Sequence, residues 1–252
     1  MARAASLELS RWLPAYAWWP PPGEFAVTVV LSTHHATVEA GAEFEACLRG
    51  YAGSATPVWE HEVGAFSHGA ELAVELDDLD IPAPPDRVGG ILEVHVIRRD
   101  RPPKRSVDWA GMWVHAEGRG GGGYVIPTIP MRGQEKKVQR DDLQVIPGVM
   151  SSREVETEIL LLNPIDAPTN AQLSASSARG LALSGAWFAI EPWSAWRGSL
   201  SDELPRVRQL LAQDGGVGSG AVYSSHKLLP YFGFRRAGSV LASMDHAAPI
   251  FA

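Results

Sequence analysis

The feature that most limits the fold of this 252-residue chain is a series of short β-rich runs separated by glycine, proline and serine. In the first half these are residues 25–31, 43–49, 58–63, 71–76, 90–98 and 109–116; in the second, residues 143–149, 156–162, 171–176, 186–191, 221–229 and 239–244. Runs of this length with turn signals between them are typical of antiparallel sandwiches or barrels, and not of alternating β and α units. The pattern therefore predicts an all-β fold.

One short helix is predicted in the second half, between residues 191 and 221. Ser201 or Asp202 can serve as its N-cap, and the sequence Asp214-Gly215-Gly216 ends it. The apolar residues that share one face of this helix are Leu204, Val207, Leu210 and Leu211. The helix is predicted as an insertion within the second group of strands.

The division into domains follows from the glycine-rich segment at residues 118–123, which predicts a flexible connection. Residues 1–22 then form an N-terminal arm rich in aromatic residues and proline, residues 23–117 a first β-sandwich, and residues 124–252 a second. Several residue types recur between the halves at offsets of 130 or 131 positions. This recurrence predicts a tandem duplication.

Four histidines are part of the recurrence. His95 and His115 are 20 residues apart, as are His226 and His246, and the second pair follows the first by 131 positions. If each pair spans a hairpin, with turns at Arg105 and Arg236, the two histidines of a pair lie opposite each other. Directly opposed residues in an antiparallel pair have Cβ atoms about 5 Å apart.

This geometry makes the four histidines candidate ligands of a divalent metal ion, because Zn–N bonds are about 2.0 to 2.1 Å long. Glu93 is a further candidate, since it is two residues from His95 and shares its face of the strand. The alternative is a set of purely structural, hydrogen-bonded histidines. Familiar zinc spacings such as HExxH are absent from the sequence.

Two groups of residues are candidates for binding a ligand. Both predicted hairpin turns are basic, and Arg105, Arg235 and Arg236 are placed to hold a carboxylate or phosphate. Trp18 and Trp19 precede three prolines and have two interpretations: a stacking platform for a ligand, or anchors of a proline-stiffened arm.

Composition limits the class of partner. A net charge of −7 argues against binding of duplex nucleic acid, and no run approaches the roughly 18 apolar residues that span a bilayer. A lone cysteine, Cys47, provides no disulfide framework, so we expect a cytoplasmic protein. Two functions stay open: a non-catalytic protein that binds a small molecule or a protein partner, and a metal-dependent enzyme using the histidine pairs.

Overall fold

The computed structural model describes residues 15–32, 41, 43–67, 69–85, 87–99, 111–119, 122–127, 129–130, 142–238, 241–246 and 248–249. The first half contains β1 (Ala15–Trp19), β2 (Phe25–Ser32), β3 (Glu43–Tyr51), β4 (Trp59–Ser67), β5 (Glu71–Glu75), a 3-10 helix (Leu76–Asp78), β6 (Gly90–Arg98), β7 (Gly111–Gly118), β8 (Gly123–Pro127) and β9 (Ile129–Pro130). The second half contains β10 (Asp142–Met150), β11 (Val155–Asn163), β12 (Thr169–Ser176), β13 (Ala182–Ser184), β14 (Phe188–Ile190), β15 (Ser194–Ser199), α1 (Leu200–Glu203), α2 (Val207–Ala212), β16 (Val217–Ser224), β17 (Leu229–Arg236), β18 (Leu241–His246) and β19 (Ala248–Pro249).

The strands form four antiparallel sheets, two in each half. In the first half, sheet A has the order β4-β3-β6-β1-β9 and sheet B the order β5-β2-β7-β8. In the second half, sheet C has the order β13-β12-β16-β10-β19, with β14 also paired to β12, and sheet D has the order β15-β11-β17-β18. The halves share one strand order, with β13 and β14 together in the place of β4. The predicted tandem pair of antiparallel β-sandwiches is confirmed.

The helical segment is two short helices where one was predicted. Pro205 lies between α1 and α2 and lacks the amide hydrogen that a continuous helix needs, so the helix is interrupted there. Ser199 is the N-cap of α1 and accepts a hydrogen bond from an amide of its first turn. The apolar face predicted from the spacing is buried in the second core through Leu204, Val207 and Leu211. None of the helices in the described part of the chain has the length and apolar character that crossing a bilayer requires.

Sheet D is buried on both faces because it is shared between two cores. Along β11, Ile159 and Leu161 belong to the core of the second half, and the alternating Leu160 and Leu162 belong to the core of the first half. Successive side chains of a strand point to opposite faces, so both faces need an apolar partner. Every residue from 156 to 163 is therefore buried, and β17 alternates between the two cores in the same way.

The aromatic residues of β1 belong to the core. Trp18 and Trp19 are 0% and 4% exposed in β1, which lies between β6 and β9. Trp18 packs against Phe25 and Tyr124, and its indole N–H donates a hydrogen bond to the Val88 carbonyl at 2.8 Å. The stacking platform for a ligand is therefore not formed, because this part of the predicted arm is an internal strand of sheet A.

The described residues of the glycine-rich segment, Gly118, Arg119, Gly122 and Gly123, lie where the paired strands β7 and β8 of sheet B meet, and not between the two halves. The Gly118 amide donates to the Gly122 carbonyl at 2.8 Å, and Gly122 has a φ of 80°, a left-handed conformation that favours glycine. The change from the first pair of sheets to the second falls between β9 and β10.

Trp193, in the turn between β14 and β15, joins the second half to sheet A. Its ring stacks on Tyr51 with centroids 4.6 Å apart and meets the Tyr16 ring edge-on at 6.2 Å. Its indole N–H donates to Asp166 at 2.6 Å, and its carbonyl accepts from the Gly53 amide at 2.8 Å. Trp193 has a φ of 52°, which is uncommon for a non-glycine residue, so contacts with both halves hold a disfavoured backbone conformation.

Candidate functional site

The first predicted histidine pair is divided between two sheets. His95 lies in β6 of sheet A, opposite Cys47 of β3, whereas His115 lies in β7 of sheet B, opposite Thr28 of β2. β6 and β7 therefore do not form the predicted hairpin, and these histidines are not cross-strand partners. Consecutive strands of a sandwich often belong to different sheets, so neighbours in the sequence need not pair.

The second predicted pair is also separated. β16 ends at Ser224, so His226 lies in the loop before β17, where its Nδ1 is 3.2 Å from the Ser225 hydroxyl. The hairpin of β17 and β18 exists, but it pairs His246 with Tyr231. In the strand order that the two halves share, β7, which contains His115, corresponds to β17. His246 lies in β18 instead, so the recurring histidine spacing is not a structural repeat.

A buried polar cluster of sheet A surrounds Glu93. The Nδ1 of His95 lies 3.5 Å from the carboxylate, the Tyr51 hydroxyl donates to it at 2.7 Å, and Arg49 reaches it at 3.3 Å. Glu93 and His95 share a face of β6, as their spacing predicts. Burial alone raises the pKa of Glu93, but His95, the Tyr51 hydroxyl and the Arg49 guanidinium outweigh it and hold the pKa below its ordinary value.

Two side chains here, His95 of the cluster and Cys47 on the neighbouring strand, are poorly suited to catalysis. Neither ring nitrogen of His95 has a hydrogen-bond partner among the described residues. Burial raises the pKa of the Cys47 thiol to about 12, with Glu60 adding to the effect, so the thiol stays protonated at neutral pH and is a poor nucleophile. Over the described ranges of the chain, no three His, Cys, Asp or Glu side chains are grouped so that they could hold a metal ion.

A different group of charged side chains lines an open cleft at one end of sheet D, with a volume of about 310 Å³. Its basic lining residues are Arg153 from the turn before β11, Arg208 from α2, and Arg235 and Arg236 from the end of β17. Its acidic lining residues are Glu154, Glu156 and Asp202. Four arginines against three acids leave one positive charge, in a chain whose net charge is −7. We call this opening the arginine cleft.

The carboxylate of Glu156 in the arginine cleft is satisfied by the protein itself. Its Oε1 accepts from the Ser201 amide at 3.1 Å, and its Oε2 accepts from the Ser151 hydroxyl at 2.9 Å and from Arg208 at 3.0 Å. Glu156 is buried, so these bonds replace the water it has lost. This acid holds Arg208 in place.

The other arginines differ in how far they are engaged. Arg235 contacts Glu158 through its Nε at 2.7 Å, and its terminal nitrogens form no hydrogen bond or ion pair with the described residues. Arg153 is exposed and has no hydrogen bond or ion pair within the described part of the chain. Arg236 already has a partner in the protein. Within the described part of the chain, donors are thus left for a ligand on Arg153, on the terminal nitrogens of Arg235 and on the Nε and Nη1 of Arg208.

Arg197 of β15 links this end of sheet D to the first half. Its Nη1 and Nη2 each lie 2.8 Å from one oxygen of Glu24, and Nη2 also reaches Glu158 at 2.7 Å. Its guanidinium carbon lies 5.0 Å from the Trp18 ring centroid. Burial opposes the charge, but Glu24 and Glu158 hold the pKa of Arg197 above its ordinary value. Because Glu158 also binds Arg235, ion pairs run continuously from the first half to the arginine cleft.

The sequence indicates part of this site. Arg235 and Arg236, predicted as ligand-binding residues, both line the arginine cleft, while Arg105 lies outside the described residues. Arg153 and Arg208 carry no signal in the sequence. They belong to a turn and a helix far from β17 along the chain, and only the fold brings them together.

Comparison with known proteins gives little. No protein-family model matches the chain, and no curated protein matches it. Among solved structures, a Bacteroides fragilis protein described as a β-galactosidase is 9% identical with a TM-score of 0.20, over 95% of this chain and 32% of that one. A β-glucuronidase from Bacteroides uniformis is 11% identical with a TM-score of 0.20, over 92% and 25%. The chain spans about a third and a quarter of the two proteins, and likenesses this weak carry no argument about function.

Proposed function

We propose that this is a non-catalytic binding protein built from duplicated β-sandwiches, and that its ligand-binding position is the arginine cleft. The observation that supports the proposal most directly is the presence of four arginines around one opening of about 310 Å³. A guanidinium holds a carboxylate or a phosphate through two parallel hydrogen bonds. The ligand is therefore a molecule that carries one of these groups.

The arrangement favours binding over catalysis. Glu156 has both oxygens engaged, so it is not available to remove a proton from a ligand. Glu158 fixes the Nε of Arg235 and so orients the terminal nitrogens of the guanidinium before a ligand arrives. A donor held in place in this way loses less side-chain entropy on binding.

Calorimetric titration with inorganic phosphate and with citrate, at low ionic strength, tests the proposal. Arg153→Gln and Arg235→Gln are each expected to weaken binding by about tenfold, because each removes charge-assisted hydrogen bonds. Arg179→Gln is the matched control, since Arg179 is 63% exposed, pairs with Asp214 and does not line the cleft. Absence of binding by both anions, or equal binding by all variants, would contradict the proposal.

The second candidate, a metal-dependent enzyme, is supported by one contact, the 3.5 Å approach of His95 to Glu93 beside Cys47. It is tested by elemental analysis of untagged protein together with melting curves in added zinc. A protein without bound metal, whose melting temperature does not change on adding zinc, rejects the metal-dependent enzyme.

A cytoplasmic location is also proposed, and the unpaired thiol of Cys47 supports it.

A further inference from the structure

The exposed apolar side chains of this protein are concentrated on one sheet. In the described part of the chain, all of the large ones except Val58 and Val125 lie on sheet C or in the loops at its β13–β14 edge. They are Met150, Leu181, Trp187, Val217 and Tyr223, and each is at least 36% exposed. Clustering of this kind marks an interaction surface, whereas scattered exposed apolar residues need no explanation.

The outward side chains of sheet C follow from its register. Leu173 and Val222 point into the second core, so the residues that alternate with them point outward. The outward set, which we call the neutral face, is Leu143, Val145 and Met150 of β10, Val217, Ser219, Ala221 and Tyr223 of β16, Asn170, Gln172, Ser174 and Ser176 of β12, Ala182 and Ser184 of β13, and Ala189 of β14. None of these side chains carries a charge.

The open face of sheet B, unlike the neutral face, carries charged side chains. Its outward residues include Glu71 and Glu75 of β5 and His115 and Glu117 of β7, all exposed. Charged residues make up 20% of the chain, and soluble surfaces are usually about 25–35% charged. A solvent-facing side of a sheet on which none of the described outward side chains is charged therefore needs a reason.

Two exposed aromatic residues lie on either side of Gln172, Tyr223 on the neutral face and Trp187 in the loop that precedes β14. Gln172 is paired with Tyr223 of β16 on one side. On the other side β14 pairs Phe188 with Ala171, which brings Trp187 level with Gln172. The two aromatic residues are thus two strand spacings apart, roughly 10 Å, and are 53% (Trp187) and 37% (Tyr223) exposed. The Gln172 amide nitrogen donates to a backbone carbonyl at 2.9 Å, so its oxygen is left as an acceptor.

We infer that the neutral face binds a neutral polysaccharide chain. Aromatic rings stack on the C–H faces of sugar rings, while serine hydroxyls and side-chain amides both donate to and accept from sugar hydroxyls. Nucleic acids and anionic lipid surfaces need lysine or arginine, which this face lacks. Charge matching thus selects an uncharged, hydroxyl-rich partner.

A second copy of the chain fits less well. Most of this face consists of three long strands, β10, β12 and β16, with β13 and β14 together in a fourth position. At about 4.8 Å between strands and about eight residues in each position, its area is roughly 500 Å², below the roughly 800 Å² per partner of a standard protein interface. Serine and alanine, which are abundant on the neutral face, are depleted from such interfaces. The inference is independent of the arginine cleft, whose ligand is anionic.

Binding is tested by adsorption of the whole protein to washed cellulose, chitin and starch granules, and by affinity electrophoresis in soluble xylan. Retention by at least one of these neutral polymers is expected. Tyr223→Ala and Trp187→Ala are each expected to weaken it by about tenfold. Tyr223→Phe keeps the ring and is expected to retain most of the binding. Val125→Ala, at a 59% exposed position of sheet B, is the matched control.

Three outcomes would overturn the inference. One is the absence of retention by all four polymers, and another is equal retention of wild type, Tyr223→Ala and Trp187→Ala. The third is a wild-type dimer in light scattering that Tyr223→Ala converts to a monomer, which assigns the neutral face to a second copy. Melting curves of both alanine variants exclude loss of the fold as the cause of weaker binding. Because phosphate and citrate binding is measured separately, failure here leaves the arginine cleft unaffected.

Discussion

Replacing Glu24 and Arg197, singly and together, tests whether an ion pair holds the two halves together. The two residues are 173 positions apart and belong to different halves. Their contact is bidentate, with two N–O distances of 2.8 Å, and the side chains are only 23% and 16% exposed. We use Glu24→Gln, which keeps the shape of the side chain, and Arg197→Met, which keeps its unbranched stem, because each removes the charge.

The expected loss of folding free energy follows from the burial and geometry of the pair. Charge-assisted hydrogen bonds are about twice as strong as neutral ones, and removing one partner of a mostly buried pair costs about 3 kcal/mol. Arg197→Met is expected to cost about that amount, since Glu158 then keeps only its contact with Arg235. For residues in direct contact, the interaction energy of a double-mutant cycle is 0.5–3 kcal/mol, and the bidentate geometry places this pair at about 2 kcal/mol.

The assay is equilibrium urea unfolding followed by tryptophan fluorescence and circular dichroism. The control cycle is Arg119 with Asp77, an ion pair within the first half whose side chains are both 51% exposed. Exposed pairs are screened by water, so the control interaction energy is expected below about 1 kcal/mol. An interaction energy for Glu24 and Arg197 within about 0.5 kcal/mol of zero would refute the assignment of this pair as a link between the halves.

Two further predictions concern sheet A. The pKa of Glu93 is lower in the folded protein than its ordinary value of 4.5. Its carboxylate therefore stabilises the folded protein at pH values above 4.5, and this contribution is lost as the pH falls through the folded pKa. Glu93→Gln should therefore show a flatter decline of melting temperature below pH 4.5 than wild type, and parallel declines would contradict this. The Cys47 thiol, with a pKa of about 12 and 5% exposure, should not react with a disulfide reagent at pH 8 until urea unfolds the protein. Rapid modification of the folded protein would show that the thiol is accessible.

Many of the strands were predictable because alternation is a local property, but β1, β13, β15 and β17 have no predicted run of their own, and the predicted run 221–229 spans the loop between β16 and β17. In β12, Ala171, Leu173 and Ala175 are buried, and the polar residues between them are not, so the sequence alone indicates a strand with one face inward. The helix was predictable for the same reason, through the buried Leu204, Val207 and Leu211. Local patterns decide which element forms and which face it buries.

Strand pairing was not predictable, because it depends on whether a loop turns within a sheet or crosses to the other. The four residues 225–228 take the chain from sheet C to sheet D, and nothing in their composition distinguishes this crossing from a hairpin turn. His226 lies in that crossing, and the predicted opposition to His246 failed there. The position of Trp18 in an internal strand was missed for a related reason, since the strands that enclose it come from elsewhere in the chain.

The arginine cleft was half predictable. Arg235 and Arg236 mark a basic turn that is visible in the sequence, and the structure places both in the cleft. The Glu158 carboxylate that orients Arg235 belongs to β11, and the sequence of β11 does not show which arginines its two glutamates bind. Recognising the whole site requires the register of β11 with its two neighbours.

The sharing of sheet D has a consequence for the history of the duplication. A newly doubled sandwich consists of two copies that each fold alone, but here the second copy without the first would expose Leu160, Leu162 and Tyr231 to water. The first copy alone would in turn lose the Trp193 ring that covers Tyr51. Each half thus forms part of the other's interior, so deletion of either one is expected to expose apolar side chains of the half that is left and to promote its aggregation.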